Sequence, residues 1–249
     1  MIIFRPLEIF LQFSRGHTMQ RIGILGGSFN PPHIGHLRVA FEVLEQLELT
    51  RLDFVPASVP PHKTTQGLLP FFLRAHLVRE CVRTIDGMRV NELEADRRGP
   101  SYTYDTLKAY GSAGTNDELF FIMGSEDLIN LGFWYRGKDL PALTHLALVG
   151  RGGLDRTAAD ELIREFWPGS RINQGRWTLP GTNKDIFFLE MNRLDISSSL
   201  IRDKWTKGQS ITYLVPESVE AYLCEHRTRI SMIWRENMSV NQKVHADRF

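Results

Sequence analysis

The chain has 249 residues, enough for one large α/β domain or a domain with an appendage. Thirty Lys and Arg nearly balance twenty-nine Asp and Glu, and the formal charge of +1 argues against a general nucleic-acid binder. Cys81 and Cys224 sit in apolar helical patterns without metal-ligand spacing, so both read as reduced core residues of a cytoplasmic protein.

Residues 1–13 are apolar but too short to span a bilayer, and no small-residue cleavage site follows them. Met19 precedes the first convincing strand, so residues 1–18 are expected to be an extension without a catalytic role. Residues 21–25 read as a buried strand, and Leu37, Ala40, Phe41, Leu44 and Leu47 then recur at helical spacing. A second strand over 51–56 leads into a proline-rich stretch ending at Lys63. Leu73, Leu77, Val78, Cys81, Val82 and Ile85 form another helical stripe, followed by a strand over 88–93 and a polar loop over 94–100. Residues 102–110 predict a helix, 118–123 a strand, and a short helix then runs through Leu131 to the pair Trp134 and Tyr135. A fifth strand is expected over 144–149. Such alternation implies an open, doubly wound, mostly parallel sheet with helices on both faces. Ligands bind such sheets at the carboxyl ends of the strands, so the loops after Leu25, Pro56, Leu93 and Met123 should share one face.

The second half is less regular. Residues 158–167 predict a helix, 169–184 a loop, 185–190 a strand, and 196–202 the opening of a helix with serine as N-cap. A last helix over 216–226 gives a small C-terminal helical portion, and 227–249 are expected to be a mobile tail. The domain itself is thus placed at 19–226.

Two stretches carry chemistry. Residues 26–36 read Gly-Gly-Ser-Phe-Asn-Pro-Pro-His-Ile-Gly-His: a turn stiffened by proline and loosened by glycine, then two histidines at a helix start. Helix starts attract anions, and two imidazoles three residues apart can donate to a phosphate under attack. The lysine of a G-x-x-x-x-G-K-[ST] loop is missing, G-x-G-x-x-G does not fit, and no further ligands at suitable spacing make a metal site of His33 and His36. The second stretch is Ile196, Ser197, Ser198, Ser199 and Arg202, where hydroxyls, helix-start amides and a guanidinium can hold phosphate oxygens.

The first stretch resembles the (T/S)-F-(D/N)-P-x-H-x-G-H motif of the nucleotidyltransferase superfamily, and 196–202 is similar to its I-S-S-x-x-I-R motif. Pro60-Pro61-His62-Lys63, the Ser101-Tyr102-Thr103 loop and Phe121-Ile122-Met123-Gly124 narrow the likeness to bacterial nicotinate-nucleotide adenylyltransferases. The resemblance implies a Rossmann-like fold and adenylyl transfer from ATP to nicotinate mononucleotide, with Mg²⁺ carried on the ATP. It implies no nucleic-acid or membrane partner and leaves a homo-oligomer open. By the same resemblance, His33, His36 and Arg202 act on the phosphates, with Gly26, Gly27, Ser28, Phe29, Ile196, Ser197, Ser198 and Ser199 completing the ATP site. Asn30, Lys63, Tyr102, Thr103, Tyr104, Trp134 and Tyr135 are carried over to the mononucleotide, the last two as a platform for the pyridine ring. The family's Gly-x-Asp after the fourth strand is altered here, with Glu126 at the Asp position and Asp127 next. Nicotinamide-mononucleotide and phosphopantetheine adenylyltransferases share part of the pattern, as would a nucleotide sensor without catalysis.

Overall fold

The computed structural model describes residues 19–61, 67–112, 116–150, 154–192 and 194–235. The expected extension over 1–18, Lys63 and residues 236–249 lie outside them. Among the described residues, eight strands form one sheet: β1 (Arg21–Gly27), β2 (Arg51–Pro56), β3 (Met88–Val90), β4 (Glu118–Gly124), β5 (His145–Gly150), β6 (Arg171–Asn173), β7 (Arg176–Thr178) and β8 (Asp185–Glu190), in the order β3-β2-β1-β4-β5-β8-β7-β6. β1 pairs in parallel with both β2 and β4, β4 with β5, and β5 with β8. The helices are α1 (Ile34–Gln46), α2 (Phe71–Val82), α3 (Thr103–Gly111), α4 (Ser125–Asn130), α5 (Arg156–Phe166), α6 (Ser198–Thr206) and α7 (Glu217–Glu225).

The central strands are apolar without interruption because both of their faces are covered. Their side chains alternate between two cores: Phe120 and Ile122 point into one, Leu119, Phe121 and Met123 into the other. The first core takes Val39 and Val43 of α1, Leu77 and Val78 of α2, Ile201 and Trp205 of α6, and Leu223 of α7. Leu107 of α3, Leu128 of α4 and Ile163 of α5 close the opposite face. The doubly wound reading therefore holds. From β1 the chain moves outward to β2, whereas β4 and β5 continue on its other side. That reversal leaves a crevice at the carboxyl ends of β1 and β4.

Three expectations are corrected. Residues 169–184 are not simply a loop: β6 and β7 pair antiparallel around Gln174 and Gly175, both at positive φ (48° and 79°), as in a type I′ hairpin turn. Cys224 is exposed, and only Cys81 belongs to the core, where burial pushes its thiol up to about 12. The chain also does not become a tail at Arg227. Residues 227–235 are helical, and Ile230 and Trp234 are buried in the first core. Trp234 stands edge-on to Trp205, with ring centroids 5.8 Å apart, and Ser231 Oγ accepts from Trp205 Nε1 at 3.0 Å. Trp234 is 1 % exposed, so Trp234→Ala should cost ~3–5 kcal/mol, read as a lowered midpoint in urea unfolding.

Candidate active site

The crevice is a cleft of about 710 Å³ lined by Leu25 to Ser28 of β1 and its turn, Met123 and Gly124 of β4, His33 and His36 of α1, and Ser197, Ser198, Ser199 and Arg202 of α6. The two distant sequence stretches therefore converge on one space. Ser198 Oγ donates to the Pro31 carbonyl at 2.8 Å, and Arg202 Nη1 donates to the Asn30 carbonyl at 2.8 Å. These bonds dock the start of α6 against the turn before α1. Ser197 caps α6, its hydroxyl accepting from the Leu200 N–H at 3.1 Å, while Arg202 Nη2 reaches Ser199 Oγ at 3.3 Å. Burial holds the Arg202 pKa below the ordinary guanidinium value.

His33 is the N-cap of α1 and is 4 % exposed. Its N–H donates to His36 Nδ1 at 3.2 Å, and the two rings lie 3.7 Å apart between centroids. Because Nδ1 accepts, a neutral His36 carries its proton on Nε2. The helix-start amides contribute less than the sequence suggests. The Ile34 N–H donates to the Leu214 carbonyl, and those of His36 and Leu37 to the His33 carbonyl. The imidazoles themselves are thus the donors of this element. Gly35 leaves them their room: a Cβ there would lie 3.0 Å from His33 Nδ1 and 3.1 Å from its Cε1. Gly35→Ala should displace the His33 ring and lower kcat about tenfold, with a melting temperature close to wild type, since small misplacements are costly in catalysis.

Two residues assigned to ligands also serve the frame. Phe29, not Gly26 or Gly27, takes the unusual backbone angle, with φ 45°. Its ring is 1 % exposed and packs edge-on against His36, with centroids 4.9 Å apart, so it supports the imidazole from below. A Cβ on Gly27 would come within 3.0 Å of that ring, which explains the glycine by space. Asn30 lines the cleft, but its side chain donates to the Gly67 carbonyl at 2.8 Å and accepts from the Leu69 N–H at 3.1 Å. It braces the entry to α2.

A second, smaller pocket of about 210 Å³ opens beside the first, lined by Pro60, Pro61, Glu94, Ser101, Tyr102, Thr103, Thr106, Trp134 and Tyr135 among others. Gly26, Gly27, Ser28, Phe121 and Trp134 line both pockets. Ser101 fastens this wall to the loop after β2: its N–H donates to the Val59 carbonyl at 2.8 Å, and its hydroxyl accepts from the Val59 N–H at 3.1 Å. Tyr102 and Tyr135 lie 4.7 Å apart between centroids. Tyr104 is not part of the lining. It meets Tyr135 edge-on and carries the Arg136 guanidinium over its face at 3.8 Å. Both acidic residues after β4 are exposed, but Asp127 lines the larger cleft and accepts from the Gly124 N–H at 3.1 Å, whereas Glu126 does not line it.

The sequence reading placed neither Glu94 nor Thr106 in these walls, and it missed Arg74. This arginine is buried on α2 and bonded to the Ser28 carbonyl at 2.8 Å. The signal was present: one permanent charge inside the apolar stripe Leu73, Leu77, Val78.

Comparison with known proteins agrees with this fold. The family model described as "Cytidylyltransferase-like" matches residues 24–204. A probable nicotinate-nucleotide adenylyltransferase of Trichlorobacter lovleyi is 37 % identical over 206 residues, covering 82 % of this chain and 97 % of that protein. One from Pelobacter propionicus is 39 % identical over 216 residues, covering 83 % and 97 %. Among solved structures, the Plasmodium falciparum nicotinic acid mononucleotide adenylyltransferase complexed with NaAD shares the fold with a TM-score of 0.65 at 19 % identity, over 83 % of this chain and 96 % of that one. With a cytidylyltransferase-like core across most of its length and relatives of this identity and coverage, the chain belongs to the nicotinate-nucleotide adenylyltransferase family.

Proposed function

We propose that the protein transfers the adenylyl group of ATP to nicotinate mononucleotide, giving nicotinate adenine dinucleotide and pyrophosphate. The observation that carries this reading is the pair of adjoining pockets with a common wall at Gly26, Gly27, Ser28, Phe121 and Trp134. The larger pocket, with its imidazoles, guanidinium and α6 start, suits a triphosphate. The smaller one, walled by Tyr102, Trp134 and Tyr135, suits a flat pyridine ring.

A 5′-phosphate oxygen of the mononucleotide attacks the α-phosphorus of ATP in line. The bond from that phosphorus to the bridging oxygen breaks, and pyrophosphate leaves with the electron pair. No covalent enzyme intermediate is needed, so catalysis consists of alignment and charge stabilisation. His33 and His36 donate to the oxygens of the attacked phosphate, while Arg202, Ser199 and the opening amides of α6 hold the leaving pyrophosphate. Asp127 is the acidic side chain among the described residues of the cleft lining, which suits a Mg²⁺ ion held chiefly by the triphosphate itself. When bound, that ion neutralises phosphate charge. The free thiols Cys81 and Cys224 suit a reducing compartment, and we place the reaction in the cytoplasm.

The test is pyrophosphate release by the purified protein with ATP and Mg²⁺, offering nicotinate mononucleotide and its amide singly and in competition. Faster turnover of the acid supports the reading. Preference for the amide, or binding of ATP without turnover of either, overturns it.

A further inference from the structure

Arg74 interrupts an otherwise apolar stripe of α2, yet it is only 1 % exposed. A buried guanidinium must have its donors met, and a carboxylate is the usual partner. Here the partners are backbone carbonyls. Nε donates to Leu69 at 2.8 Å, Nη1 to Ser28 at 2.8 Å and Nη2 to Ser58 at 3.1 Å. These belong to three separate segments: the entry to α2, the turn after β1 and the loop after β2.

The connection continues beyond Ser58. Its N–H donates to one Glu94 carboxylate oxygen at 3.2 Å, and the Thr106 hydroxyl donates to the other. Arg97 Nη1 then reaches Thr106 Oγ1 at 2.8 Å. Ser28 lines both pockets, whereas Glu94 and Thr106 line the smaller one. One side chain thus ties a wall of the triphosphate cleft to the far wall of the pyridine pocket. Burial lowers the Arg74 pKa to about 10, opposed by the Glu94 charge, so the fork stays protonated at neutral pH. Planar donors spread over three carbonyls fix distances between segments more strictly than a single ammonium would.

We propose that Arg74 is a positioning residue for adenylyl transfer, setting the spacing between the Ser28 wall and the Ser58–Glu94–Thr106 wall so that the attacking and attacked phosphates align. The proposal rests on the assignment of the two pockets made above. Arg74 touches neither nucleotide. Its effect is exerted through Ser28 and Ser58, and it should appear in alignment rather than in the affinity of either site.

The experiment compares wild type with Arg74→Lys and Arg74→Gln, the second placing an uncharged amide donor in the buried site, at a residue that lines neither pocket. Three quantities are measured: melting temperature, the Kd of nicotinate mononucleotide and of a non-hydrolysable ATP analogue taken singly, and the single-turnover rate. Both variants should keep each Kd within about threefold while the rate falls ~10- to 100-fold. Equal losses in binding and rate, or a rate within about threefold of wild type, would mean a merely structural arginine and overturn the proposal. Should Arg74→Lys fail to fold, the neutral Arg74→Gln decides by the same criteria. Wild type that releases no pyrophosphate would instead sink the reading of the reaction, an outcome separate from an active wild type with indifferent variants.

Discussion

His36→Ala is expected to lower kcat at least ~100-fold in pyrophosphate release, with the protein still folded, because it removes a donor aimed at developing phosphate charge. The ring sits between supports that do not depend on it. The Phe29 edge lies 4.9 Å away between centroids, and the His33 N–H donates to its Nδ1 at 3.2 Å. Deleting the imidazole leaves the cap of α1 one acceptor short, a cost of about 1 kcal/mol to stability. The loss in rate is worth roughly 2.7 kcal/mol, so the two effects separate on a melting curve and a rate measurement. A folded His36→Ala variant with near-normal kcat would remove this histidine from the chemistry.

Arg202→Ala should be comparably severe and differ in pattern: KM for ATP rises as kcat falls, and kcat/KM drops by ~100-fold or more. The guanidinium holds the Asn30 carbonyl at 2.8 Å and Ser199 Oγ at 3.3 Å, so it both presents charge to the cleft and fastens α6 to the preceding turn. Arg202→Lys restores a charge but not the fork, and should recover only part of the loss. Full recovery by lysine would show that point charge alone matters. A KM for ATP unchanged in Arg202→Ala would place the triphosphate elsewhere.

The legible part of this protein was whatever rests on local repetition. Buried strands in a doubly wound sheet are continuous apolar runs, and amphipathic helices repeat at their own spacing, so β1, β2, β4 and β8 emerge from the residues almost at their observed bounds. Motifs at helix starts were readable for the same reason, which is why His33, His36 and Arg202 could be paired before any coordinates. What escaped was set by distant partners. Nothing near Arg74 announces that its donors will meet Ser28, 46 positions away, or Ser58, 16 away. Phe29 packs its ring into the frame and Asn30, though it lines the cleft, bonds its amide to Gly67, matters of side-chain direction that spacing does not carry. The β6–β7 hairpin is two three-residue strands around Gln-Gly, a weaker turn signal than Asn-Gly. Residues 227–235 offered little to read, since Ile230, Ile233 and Trp234 are the three of them that pack on the core.

The wall held in common by the two pockets has a consequence for the end of the cycle. On the proposed assignment of the two pockets, two separate molecules occupy the compartments on either side of Gly26, Gly27, Ser28, Phe121 and Trp134 before reaction. Afterwards one dinucleotide straddles that ridge and retains the grip of both, with no second loss of translational freedom to offset it. Departure of the dinucleotide, rather than bond exchange at phosphorus, is then the natural bottleneck, and accumulating dinucleotide competes against either starting material.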